Sequence, residues 1–371
     1  MSILVGSTEL LDPHGAYAPH PAARAIAARD VLGSLESGCG VRGLDATAER
    51  LGEMRAFLGS DLDEIEGALA TTGAGESLAH RSAQHLLAVG GKRLRPLCVA
   101  LAARTGVGFP PAARELAIAV ELVHAATLLH DDVVDLGEKR RGVDAARIVY
   151  GNAASIFGGD WLLVEALGRI RAAGLPDVLD RMLGVIKELV VAEALQLARR
   201  GRAGTSRDEY FEVARGKTAS LFRWAMFAGA RAGGVDGRAC DALEAFGSDL
   251  GVAFQVVDDV LDVAGDSDVT GKSVLCDLRE GKMTYPLIVA AERDPSVRRL
   301  LDDHVAPDAE ISDAVIARLA AAASAPAVVA QCLATAEELC GAAIRSLDAV
   351  PPGRARSALE SVAVATLHRS K

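Results

Sequence analysis

The chain has 371 residues, 50% apolar and 24% charged, a globular composition that excludes a disordered or fibrous protein. Its 50 acidic against 40 basic residues give a net charge of −10 with no basic block, which argues against a nucleic-acid partner. Aromatic residues make up only 4%, and alanine- and leucine-rich stretches without β-branched alternation predict an all-α fold, of one or two domains at this length.

In chain order, residues 1–45 are rich in Gly, Ala, Pro and His, keep no period and read as a flexible extension without the pattern of a signal peptide. From residue 46 to 371 helical patterns recur in roughly ten segments of ordinary length. They are punctuated at Gly73–Gly75, Gly106–Pro111, Gly174–Pro176, Gly201–Gly204, Gly233–Gly237, Gly265–Gly271 and Pro351–Gly353. Six cysteines (Cys39, Cys98, Cys240, Cys276, Cys332, Cys340) lack metal or CxxC spacing, as in a reduced, cytoplasmic protein. The longest uncharged run, Leu319–Ala336, is mostly alanine and too weakly apolar to span a membrane.

The first chemical signal is Gly90-Gly91-Lys92-Arg93-Leu94-Arg95-Pro96, cations beside glycines that let backbone approach a ligand. The segment Leu116–His130 is apolar nearly all round, which places it centrally in the bundle. It ends in Asp131-Asp132-Val133-Val134-Asp135, followed by Arg140-Arg141-Gly142. Further on come Glu193–Gln196 and Gly216-Lys217-Thr218. A second apolar segment, Leu250–Val263, carries Gln255 and a second triplet, Asp258, Asp259 and Asp262, before Gly271-Lys272 and Gly281-Lys282. Residues four apart share a helix face, so Asp131 pairs with Asp135 and Asp258 with Asp262. Like charges in apolar surroundings need a cation between them, and hard carboxylate oxygens in small number suit Mg²⁺ shared with a phosphate-bearing substrate. Arginine forks and lysine point charges suit the same poly-anion. Singly, each motif has a bland reading as a solvated face, a helix end or a satisfied core histidine; their joint presence points to function. No HExxH, GxSxG, GxGxxG or phosphate-loop pattern is present.

From about Leu51 onward, these ordered motifs resemble those of the trans-polyprenyl diphosphate synthases, which extend an allylic diphosphate with isopentenyl diphosphate. The resemblance implies a bundle around a deep central cavity, most often a homodimer. It implies Mg²⁺ on Asp131, Asp132, Asp135, Asp258, Asp259 and Asp262, with the aspartates and Lys217 carrying catalysis. Arg140, Lys217, Thr218, Gln255, Lys272 and Lys282 would line the allylic diphosphate, and Lys92, Arg95, His124 and Arg141 that of isopentenyl diphosphate. The chain departs from the pattern at Ala192, where relatives carry glycine; a packing change is expected.

Short-chain relatives block the cavity with an aromatic ring four or five residues before the first aspartate, where this chain has Thr127 and Ala126. With Val120 and Val123 these leave an open wall, and the floor is expected from Phe157, Trp161, Val164 and Leu167 on the next helix. Ala126–Asp135 is similar to octaprenyl-type synthases, and a product of about C35–C45, C40 favoured, follows at roughly one helical turn per isoprene unit. Ala126→Phe is expected to shorten it. A short-chain synthase of about C15–C20 is the alternative, ahead of a class I terpene cyclase or a non-catalytic subunit. Brief peripheral membrane contact would serve product release.

Overall fold

The structure, a computed structural model, describes residues 45–264, 276–306 and 311–369. The extension over 1–44 and Lys272 lie outside the described residues. The chain forms helices α1 (Asp45–Thr71), α2 (Leu78–Ala88), α3 (Leu94–Arg104), α4 (Pro111–Val134), α5 (Ala146–Tyr150), α6 (Asn152–Ala172), α7 (Pro176–Arg199) and α8 (Arg207–Ala214). After a turn of π-helix over Arg215–Ala219 come α9 (Ser220–Ala232), α10 (Gly237–Ala264), α11 (Cys276–Arg279), α12 (Tyr285–Arg293), α13 (Pro295–His304), α14 (Asp313–Ala323), α15 (Pro326–Ser346) and α16 (Arg354–His368). The all-α expectation holds. The division is finer than roughly ten segments, because Pro295 and Pro326 each start a helix at N1, where a missing N–H costs nothing.

The two apolar segments are the central helices. α4 packs on α3 and α6, and α9 lies against α3, α4 and α10. Small side chains permit that close packing: Ala100, Ala102 and Ala103 of α3 and Ala225 and Ala228 of α9 are fully buried. α10 joins two apolar clusters, one built on Leu243, Phe246 and Leu250 and the other on Val256, Val257 and Val260. α15 is long and apolar enough, by length and composition, to cross a bilayer. Its stripe of Val328, Cys332, Ala336, Cys340 and Ala343 is buried, and the helix packs on α10; its exposed side includes Glu337, Glu338 and Arg345.

Two local departures from regular helix matter for the site. Strands β1 (Lys139–Arg140) and β2 (Val143–Asp144) pair antiparallel, with Arg140 opposite Val143. The two residues between them, Arg141 and Gly142, both have positive φ (54° and 84°), the backbone of a type I′ hairpin turn. A non-glycine left-handed residue costs roughly 1–2 kcal/mol, so the turn holds Arg141 against its local preference. The π-helical turn carries Lys217 and Thr218; such single wide turns are frequent at functional sites. Ala192 lies where this turn meets α7, close against Gly216, a local packing adjustment.

Candidate active site

The ends of α4 and α10 open onto one cavity of about 700 Å³, lined by Asp131 and Asp258 together with Lys217, Thr218 and Gln255. Its other side is lined by Lys92, Arg95, His124, Arg140 and Arg141. The two triplets, 127 residues apart in sequence, therefore converge.

Within each triplet the carboxylates divide. Asp131, Asp135 and Asp258 keep 17%, 14% and 41% of their side-chain surface, against 1% for Asp132 and 3% for Asp259. Arg140 Nε donates to Asp132 Oδ1 at 3.0 Å. Asp259 accepts from the Tyr285 backbone N–H (3.0 Å) and from Gln255 Nε2 (2.8 Å), and Gln255 accepts from the Thr218 hydroxyl (2.7 Å). Neighbouring residues lie about 100° apart on a helix, so Asp132 and Asp259 take the buried side while Asp131 and Asp258 take the open one; Asp132 Oδ2 is buried without a hydrogen-bond partner. Burial pushes the Asp132 carboxyl up despite Arg140, and lifts Asp259 to about 7 against its hydrogen bonds. Asp262 stands one turn beyond Asp258 on α10.

Cations lie on the more open carboxylates. Lys282 Nζ is 2.6 Å from Asp135 Oδ2 and 2.8 Å from Glu280. Arg200 pairs with Asp135 Oδ1. Lys217 contacts Glu193 at 2.5 Å, Gln196 at 3.0 Å and Asp131 at 3.6 Å. Burial alone would raise the Asp135 carboxyl, but Lys282, then Lys217 and Arg200, hold it below its ordinary value. Arg369, the last described residue, stacks 3.7 Å over the Phe254 ring and pairs with Asp258 at 2.8 Å. Among the described residues no three carboxylates, histidines or cysteines already form a closed metal cage. That donor set still fits Mg²⁺, which takes one or two carboxylates and completes its octahedron with water and substrate phosphate.

The second cluster has the opposite character. Arg95 lies half-buried over the Phe222 ring at 4.7 Å, and its buried Nε has no hydrogen-bond partner. A side chain at Gly91 would meet Arg141 Nη1 and Nη2 at 2.8 Å, so this glycine makes room for the guanidinium. Burial lowers both arginines, Arg141 to about 10, with other cations adding to the effect on Arg141. Such crowding of cations is the signature of an anion site. Arg93 lines the same cavity but is taken up by Glu121 (2.7 Å) and Glu66 (2.6 Å). Glu121, the one acid inside the apolar helix, was the sequence signal for such a partner.

His124 is held neutral, by burial first and then by Arg95, Arg141, Arg140 and Arg93. The unfolded chain takes up its proton near pH 6.5, and the folded chain refuses it. Folded stability is therefore expected to be complete above that pH and to fall as the pH drops below it. His124→Asn should flatten the fall, as read by urea unfolding at about pH 7.5 and about pH 5.5.

The chain-length candidates separate. Thr127 lines the cavity, as do Leu189, Val190, Ala194 and Leu197 of α7. Val120, Val123 and Ala126 are buried in the packed core, and none of the three lines the cavity. Phe157 and Val164 are exposed on α6 (61% and 69%), Trp161 packs against His80, and Leu167 is half-buried against the core; none of these four lines the cavity, which takes Leu189, Val190, Ala194 and Leu197 from α7. Arg200, Glu193 and Arg369 were not among the expected site residues; the doublet Arg199-Arg200 before Gly201 resembles many surface helix ends, and no local pattern marks Arg369.

Residues 76–322 match the family model described as polyprenyl synthetase. Short chain isoprenyl diphosphate synthase of Methanothermobacter thermautotrophicus is 36% identical over 217 residues, 57% of this chain and 67% of that protein. Octaprenyl diphosphate synthase of Escherichia coli is 37% identical over 214 residues, 57% of this chain and 66% of that protein, so both matches span about two thirds of the relative's length. The crystal structure of a polyprenyl synthase from Caulobacter crescentus, complexed with calcium and isoprenyl diphosphate, superposes with TM-score 0.80 at 34% identity, covering 85% of this chain and 97% of that one.

Proposed function

Because this chain belongs to the polyprenyl synthetase family, the trans-polyprenyl diphosphate synthases, and is a prenyltransferase, we propose that it condenses isopentenyl diphosphate with an allylic diphosphate to make a long all-trans polyprenyl diphosphate of about C35–C45, C40 favoured. The observation that carries this is the shared cavity: Asp131 and Asp258 line it with Lys217, while Arg95, His124 and Arg141 line it as an anion site. One diphosphate then lies at the carboxylates and a second at the arginines, as a two-substrate transfer requires. That second site argues against a terpene cyclase, and the retained aspartates argue against a non-catalytic subunit.

Asp131, Asp135 and Asp258 would hold Mg²⁺, with Asp262 beside them. When bound, it would neutralise charge on the departing diphosphate. Lys217 and Lys282 would bind the same oxygens as the allylic C–O bond breaks and its electron pair leaves with diphosphate. Lys92, Arg95, Arg141 and neutral His124 would hold isopentenyl diphosphate so that its double bond attacks the allylic carbon. The proton lost from the adjacent carbon passes to the released diphosphate, so no side-chain nucleophile is needed. Asp132 would position Arg140, and Asp259 would orient Gln255 toward the cavity with Thr218.

The relatives include a short-chain enzyme. The longer product is supported by the non-aromatic wall of Thr127, Leu189, Val190 and Ala194. Exposed Ile156, Phe157 and Val164 on α6, with Val191 on α7, favour a homodimer. Residues from 46 onward would form the catalytic unit, in the cytoplasm, with brief membrane contact to release so apolar a product.

Incubation with Mg²⁺, labelled isopentenyl diphosphate and each allylic primer tests the reading. Long polyprenyl diphosphates are expected; products ending at about C15–C20 under excess isopentenyl diphosphate would overturn the length. Gly91→Ala, which pushes Arg141 aside, is expected to raise KM for isopentenyl diphosphate about tenfold with little change in kcat. Initial-rate kinetics check this.

A further inference from the structure

Asp135 has a cation on each carboxylate oxygen, Lys282 on Oδ2 and Arg200 on Oδ1. Arg200 follows the last residue of α7, and Gly201 (φ 71°) turns the chain. The Gly201 N–H donates to the Gly281 carbonyl at 2.8 Å, which ties the end of α7 to the residue before Lys282. Gly281 has φ 76°, and a Cβ there would meet Arg200 Cγ at 2.7 Å, so glycine is required for this approach. Arg200 Nε is buried without a hydrogen-bond partner. The negative end of α4 also terminates here, with Asp135 as its C-cap.

A carboxylate so saturated cannot take a divalent ion until one cation leaves. Lys282 is the more firmly held, paired with Glu280 as well and 12% exposed against 29% for Arg200. We propose that Arg200 is a further positioning residue of the allylic site: it occupies Asp135 as a resident counter-cation, yields that carboxylate to the divalent ion, and then forks onto the diphosphate bound beside Lys282. This rests on the reading of Asp135 as a metal ligand. It makes the substrate-free enzyme resist metal and couples metal loading to arrival of the diphosphate, because Arg200 leaves one anion only for another.

The two roles have opposite signs, and binding without turnover separates them. Mn²⁺ alone, counted by electron paramagnetic resonance of the free ion, is expected to bind Arg200→Gln about tenfold more tightly than wild type, since the competing cation is gone. Farnesyl thiodiphosphate, an unreactive allylic analogue, titrated calorimetrically with Mg²⁺ present, is expected to bind Arg200→Gln about tenfold more weakly, the scale of one charge-assisted contact. Arg200→Lys should restore part of both. A purely structural Arg200 would weaken both ligands together, and that result, or no change in either, overturns the proposal. Failure of the wild-type enzyme to bind the analogue with Mg²⁺ would instead overturn the reading of the site itself.

Discussion

Asp131→Ala is expected to lower kcat by about a thousandfold while leaving the fold intact. Asp131 lines the cavity with Glu193, Lys217 and Asp258, one helical turn before Asp135. Removing one charge from that set relieves repulsion, so unfolding midpoints should hold or rise slightly. Asp258→Ala should behave alike in rate. Asp132→Ala is expected to differ: it strips Arg140 of its buried partner, and lowered thermal stability should accompany any loss of rate. Rate and unfolding measured on the three variants separate ligand from support; an Asp131→Ala enzyme within tenfold of wild type would contradict the assignment.

Thr127→Phe is expected to move the product from about C40 to about C15–C20 with turnover retained. Thr127 sits one helical turn before Asp131 and lines the same cavity as Ala194. A ring there leaves depth for only one or two further isoprene units, each needing roughly one turn of helix. Ala194→Trp narrows the same passage from the opposite wall and should act in the same direction. Ala126→Phe is a poorer probe than the sequence suggested, because Ala126 is 2% exposed in packed core, where added volume costs about 1–3 kcal/mol. Chromatography of dephosphorylated products gives the answer; unchanged length in both Thr127→Phe and Ala194→Trp would place the growing chain elsewhere.

The fold and the chemical residues were largely legible because both are local signals. Apolar helices that end in carboxylates, and cations beside glycines, are patterns of spacing, and the structure brings Asp131, Asp258, Lys217, Arg95 and Arg141 to one cavity. The burial of Asp132 and Asp259 could have been read in advance: a helix that turns residues 131 and 135 to a cavity turns 132 about 100° away. Phe157 and Val164 could not, since an apolar residue lining a cavity and one exposed on a helix surface look the same in sequence. Arg200, Arg369 and the Arg93–Glu121 pair depend on contacts between distant segments, which periodicity does not encode.

The most direct measurement is anomalous diffraction from crystals grown with Mn²⁺ and farnesyl thiodiphosphate. Ions on Asp131 and Asp135 and on Asp258, with the diphosphate between them and none on Asp132 or Asp259, is the expected result. Diphosphate bound away from these carboxylates, or metal seated on Asp132 or Asp259, would contradict it.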